Sequence, residues 1–142
     1  MTTVTSERKR SKLSQERLTT DNWLNIFYIN IQSLRCKINA IELFFLDNPF
    51  DIICFSEHWL KMEEMEILTI LKYKVAGSFC RSNGYGGCAI LVNTSIRYSV
   101  VNLTAVCKEK VLEAAGIYLV GKGVYIITIY RPPKCNFEEF LY

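Results

Sequence analysis

From Trp23 the chain runs through a strand, an amphipathic helix and a second strand within about thirty-five residues, and that order restricts its fold more than any other feature. WLNIFYIN (23–30) mixes β-branched and aromatic residues with polar ones, the composition of a strand. LRCKINAIELFFLD (34–47) places Leu34, Ile38, Ile41 and Phe45 three and four residues apart, which puts them on one face of a helix. Asn48 and Pro49 end it, because proline disfavours helical backbone in the residue before it. DIICFSE (51–57) follows, with Ile52, Ile53, Cys54 and Phe55 forming the apolar run of a strand buried on both faces. Strand, helix and strand at this spacing predict a βαβ crossover with the two strands parallel.

Beyond it, EEMEILTILKY (63–73) predicts a second short helix, with its acidic residues at the end where the helix dipole favours them. YKVAGSFC, GCAILVN, IRYSVVN, VLEAAGIYLV and GVYIITIY then follow closely, separated by Gly, Asn and Lys, and predict antiparallel hairpins. The fold class is α/β. A further helix is expected to begin at Phe137, within YRPPKCNFEEFLY, so the domain is expected to be cut at its C-terminal side.

A length of 142 residues allows one ordinary domain, and a hydrophobic content of 50% supplies a sizeable core. Residues 1–22 read differently. They are poor in apolar side chains and carry a basic knot of Arg8, Lys9, Arg10 and Lys12. That is the composition of a solvated, flexible tail; a nuclear-import signal or a phosphate-touching arm is the other reading of the knot. The body, 23–142, is close to charge-balanced, and a net charge of +3 does not by itself require nucleic acid. Six cysteines without CxxC spacing or a hydrophobic leader point to reduced thiols, with Cys36, Cys54 and Cys88 in apolar runs as small core residues. An intracellular protein is expected. No apolar run approaches the ~20 residues that span a membrane, so no membrane partner is expected.

Gly84-Tyr85-Gly86-Gly87-Cys88-Ala89 matches the GxGxxA of dinucleotide-binding turns, but that mechanism needs a helix after the glycines. CAILVN is a strand, so a hairpin turn is expected and no nucleotide cofactor. His58 is the sole histidine and reads as a hydrogen-bonded surface or rim residue. No GxSxG context for a nucleophilic triad occurs. Glu57 stands at the carboxyl end of a core strand, the edge where α/β sheets gather ligands. Parallel pairing would bring Asn30, at the end of the first strand, beside it. Two readings of the pair stand at this point. One is a carboxylate and an amide that hold a hard cation such as Mg²⁺; the other is a helix cap or rim role for both.

NIQSLRCKI (30–38), DIICFSEHWL (51–60), FCRSNGYGGCAILVN (79–93) and IYRPP (129–133) occur in the order seen in the apurinic-type endonuclease domains of non-LTR retrotransposons, and from Trp23 onward the chain resembles them. Those domains belong to the endonuclease/exonuclease/phosphatase family. The resemblance implies the N-terminal half of a DNase I-like β-sandwich flanked by helices, incomplete, together with Mg²⁺ as cofactor and DNA as partner. It implies that Glu57 is the main metal ligand, that Asn30 orients the phosphate and the metal site, and that the Tyr130 hydroxyl lies near the phosphate. Arg131, one residue on, has two readings, a contact to the nucleic-acid backbone and a plain exposed arginine. The family's G-D-F-N and S-D-H motifs, which supply the base and the catalytic histidine, do not occur in this sequence. The resemblance therefore implies a fragment of a metal-dependent, DNA-nicking phosphodiesterase, inactive alone. The alternative is a non-catalytic half-domain that binds nucleic acid or protein.

Overall fold

The computed structural model describes residues 23–141; the basic tail, 1–22, lies outside them. Seven strands form two sheets: β1 (Ile26–Asn30), β2 (Ile52–Ser56), β3 (Tyr73–Phe79) and β4 (Cys88–Asn93) in the first, and β5 (Tyr98–Val101), β6 (Glu113–Leu119) and β7 (Val124–Tyr130) in the second. Three helices accompany them: α1 (Ile38–Asp47), α2 (Met62–Glu66) and α3 (Phe137–Leu141).

The expected crossover is present. β1 and β2 pair in parallel, with Ile26 opposite Ile52 and Asn30 opposite Ser56. β4 and then β3 continue the first sheet antiparallel, in the order β1-β2-β4-β3, and the second sheet is wholly antiparallel.

β2 explains the layering. All five of its residues are buried, so alternate side chains must find cores on opposite faces. Ile53 and Phe55 join Ile41 and Phe45 of α1, with Phe27, Phe50 and Tyr73 packed around them. Ile52 and Cys54 face the other way, against Ala115, Ile117 and Leu119 of β6. Helix, sheet and sheet thus form three layers around two apolar interiors. The outer face of the second sheet keeps Tyr125, Ile127 and Ile129 exposed.

Three expectations are corrected. The helix expected over 63–73 ends at Glu66: Ile67 caps it at φ −99° and ψ 0°, and Leu68, Ile70 and Tyr73 then turn into the core beside α1, with Ile70 and Tyr73 joined by an isolated bridge. Cys36 is exposed, lying in the turn before α1 and off its apolar face, whereas Cys54 and Cys88 are buried. His58 is no rim residue: it is fully buried. All six thiols are unpaired, and among the described residues no helix is long and apolar enough to cross a membrane.

Candidate active site

The site begins where β2 leaves the core. Ser56 still pairs with Cys88 of β4, and its hydroxyl lies 2.8 Å from the Tyr28 hydroxyl. At Glu57 the backbone turns left-handed, with φ +53°, and Trp59 repeats the turn at φ +58°. Side-chain-bearing residues avoid this region, so both must be held there from outside. The Glu57 N–H donates to the Gly87 carbonyl at 2.7 Å, and the Trp59 N–H to the Gly86 carbonyl at 3.0 Å. On the opposite side the Ser33 N–H donates to the Glu57 carbonyl at 2.9 Å.

The glycines therefore close the β3–β4 hairpin, as their context required, and also grip the end of β2. Gly87 lies at φ +82° with no room for a side chain: a Cβ there would stand 2.3 Å from His58 Nε2. His58 is the post against which that turn is packed. Its Nδ1 accepts from the Leu60 N–H, which leaves Nε2 as the donor to the Phe79 carbonyl at 2.9 Å. Burial lowers its pKa, so the ring stays neutral.

Glu57 projects from this clamp, half-buried, and two other residues meet it. Asn30 ends β1 and donates from Nδ2 to Glu57 Oε1 at 3.2 Å. Tyr130 ends β7 on the other sheet, and its hydroxyl donates to the same oxygen. All three side chains singled out in the sequence are thus brought together, from both sheets. Arg131 is not brought to them. It is exposed, its guanidinium lies 5.7 Å from the Phe137 ring centre and 5.8 Å from that of Phe140, and Nη1 is 3.4 Å from the Cys135 carbonyl.

The electrostatics restrict what the trio can do. Burial, and then the hydrogen bond to Glu57, push the Tyr130 phenol well above its ordinary pKa, so it is a neutral donor near pH 7 and not a base. Because Oε1 takes both hydrogen bonds, Oε2 is left for a further ligand. That donor set fits a hard cation in part. Mg²⁺ accepts one or two carboxylates and fills its octahedron with water and substrate phosphate. Among the described residues no group of three or more His, Cys, Asp or Glu gathers as a metal site. A concavity of about 500 Å³ between α2 and β3 is lined by neither Asn30, Glu57 nor Tyr130.

Two further residues at the base of the site, Arg81 and Glu113, were not singled out in the sequence. Glu113 opens β6, opposite Tyr130 in the register, and its carboxylate is fully buried. It pairs with Arg81 Nε at 2.5 Å. The available signal was a lone acidic residue inside the apolar run VLEAAGIYLV, since a charge in a core strand needs a partner.

No family model and no curated protein matches the chain. Solved structures do match. The endonuclease domain of TRAS1, a telomere-specific non-LTR retrotransposon, superposes with a TM-score of 0.58 at 13% identity over 84% of this chain. The 3′-5′ exonuclease NExo from Neisseria meningitidis gives a TM-score of 0.53 at 20% identity over 75%. A variant described as the Neisseria 3′ phosphatase NExo, bound to product DNA hairpin, gives 0.57 at 18% identity over 76%. The chain spans 49% of the TRAS1 domain's length and 41% of each NExo chain's. Its fold is that of part of an endonuclease/exonuclease/phosphatase domain, as the ordered motifs imply.

Proposed function

We propose that this chain supplies the metal- and phosphate-binding part of a Mg²⁺-dependent phosphodiesterase domain of the DNA-nicking, retrotransposon type, and that it works inside the cell. The observation that carries this reading is the meeting of Asn30, Glu57 and Tyr130: residues from two sheets converge on one carboxylate oxygen and leave the other open. A plain rim or cap role would not account for a tyrosine 73 residues away joining the pair.

Each side chain has a part in that chemistry. Glu57 offers Oε2 to the cation, with Asn30 beside it as the second oxygen-bearing ligand. A bound Mg²⁺ supplies charge neutralisation at the scissile phosphate. The Asn30 amide and the neutral Tyr130 hydroxyl are hydrogen-bond donors, each able to turn from Glu57 to a phosphate oxygen. Arg131 offers a cation to the flanking backbone. None of the four is a base for water, so on its own the chain binds and orients a phosphodiester without hydrolysing it at an appreciable rate.

The test pairs binding with activity. Mn²⁺ standing in for Mg²⁺ is expected to bind the chain and to be lost in Glu57→Ala, while supercoiled plasmid stays intact with either protein. Nicking that depends on Glu57 would refute the inactivity of the chain alone. Absence of metal binding by a folded sample would refute the site itself. The exposed Tyr125, Ile127 and Ile129 on β7 favour a second reading, a non-catalytic half-domain that binds nucleic acid or a protein partner.

A further inference from the structure

We infer that Glu113 is a positioning residue for Glu57, acting through the backbone of Gly87, so that one sheet sets the attitude of the carboxylate carried by the other. Glu113 belongs to β6 of the second sheet, whereas Glu57 directly follows β2 and Gly87 directly precedes β4 of the first. Its Oε2 accepts the Gly87 N–H at 2.7 Å. Its Oε1 accepts Arg81 Nε at 2.5 Å and the Lys110 N–H at 3.1 Å. The Gly87 carbonyl in turn accepts the Glu57 N–H at 2.7 Å. A continuous hydrogen-bonded path therefore runs from a buried carboxylate to Glu57, whose φ of +53° needs outside support.

A buried ion pair is often replaceable by apolar residues of similar volume without loss of stability. An apolar residue would leave the Gly87 N–H and the Arg81 guanidinium without partners, and it would release the turn that grips Glu57. Arg81, with a side chain 11% exposed, faces the Glu113 carboxylate as an ion pair, and charge-assisted hydrogen bonds are the stronger and more directional kind. Tyr130, directly opposite Glu113 in the β6–β7 register, reaches the same Glu57. Glu113 fixes the carboxylate's backbone and Tyr130 its oxygen.

The effect on metal affinity rests on the reading of Glu57 as a ligand; the positioning itself does not. The test uses the full 142-residue chain and two readouts, the amide resonances of Gly87 and Glu57 and titration with Mn²⁺. All proteins are compared at a temperature where circular dichroism finds each folded. Glu113→Gln keeps the shape but replaces one acceptor oxygen by a donor amide. It is expected to move both resonances and to weaken Mn²⁺ about tenfold, the effect typical of a residue behind a metal ligand. Ile117→Val, on the same strand with no polar contact, is expected to lower the melting temperature and leave both readouts in place. Should Glu113→Gln fail to fold, Arg81→Lys carries the same test, with smaller changes of the same kind. An unmoved Glu57 amide in a folded variant overturns the inference. Wild-type protein that binds no Mn²⁺ overturns only the ligand reading of Glu57, and the resonances then decide the positioning alone.

Discussion

Replacing Gly87 by alanine should cost this protein a large share of its stability, and the structure shows where the cost arises. The added Cβ would stand 2.3 Å from His58 Nε2, 2.6 Å from Cε1 and 2.7 Å from the Phe79 carbonyl. The ring cannot retreat, because it is fully buried and anchored at both nitrogens. Relieving the overlap means breaking the Nε2–Phe79 bond, which leaves a buried donor or acceptor without a partner at about 1–3 kcal/mol. Overpacking adds about 1–3 kcal/mol, and a left-handed backbone at a residue bearing Cβ about 1–2 kcal/mol. A total of about 3–8 kcal/mol is a sizeable part of the ~5–15 kcal/mol typical of a domain. Urea denaturation followed by circular dichroism should move the midpoint down by roughly 1.5–4 M at a slope of about 2 kcal/mol/M. Gly121→Ala is the matched control: it lies in an exposed turn with nothing within 4 Å of the new Cβ, and should stay within about 0.5 kcal/mol. A Gly87→Ala protein that loses less than about 1 kcal/mol would show that the His58 post can yield, and would remove the reason given for glycine there.

Three other outcomes are expected. His58 is held neutral in the fold with its pKa below the unfolded value of about 6.5, so between those values the unfolded chain binds more protons. Its contribution is therefore complete above about pH 6.5 and is lost as pH falls through the folded pKa; urea midpoints that stay flat between about pH 7 and pH 5 would contradict this. Exposed Cys36 should react with a thiol reagent in the native protein, while buried Cys54, its pKa pushed up to about 11, and Cys88 should react only on unfolding; mass spectrometry of the labelled peptides reads the order. Arg131→Ala should weaken binding to a DNA duplex and lower the slope of log affinity against log salt by about 0.9, with little change in melting temperature; an unchanged slope would remove Arg131 from the phosphate contacts.

The legible part of the fold was the part written in local periodicity. β1, α1 and β2 are specified by their own side chains, and a helix between two strands leaves parallel pairing as the economical outcome. Asn30 and Glu57 could be placed side by side for the same reason, since both end paired strands. The helix over 63–73 was overextended because its apolar residues serve a strand-like turn into the core, and periodicity cannot tell those uses apart over so few residues. His58 was misread because its burial depends on Gly87, across a hairpin. Tyr130 was reached only by resemblance, since its contact with Glu57 spans two sheets that no local pattern relates. Glu113, a lone charge in an apolar strand, signals that it needs a partner, but nothing local identifies that partner as Arg81, 32 residues away.

The arrangement of the site also sets a timetable. Asn30 and Glu57 leave the ribosome early, on strands that can pair as soon as α1 is made, whereas Tyr130 follows Glu57 by 73 residues. At ~5–20 residues per second that interval is roughly 4 to 15 s. During it the carboxylate has neither the tyrosine on its oxygen nor, until Glu113 emerges, the brace behind its turn. A nascent chain therefore carries the first sheet well before Asn30, Glu57 and Tyr130 can meet, and the trio is completed only when the second sheet closes over the first.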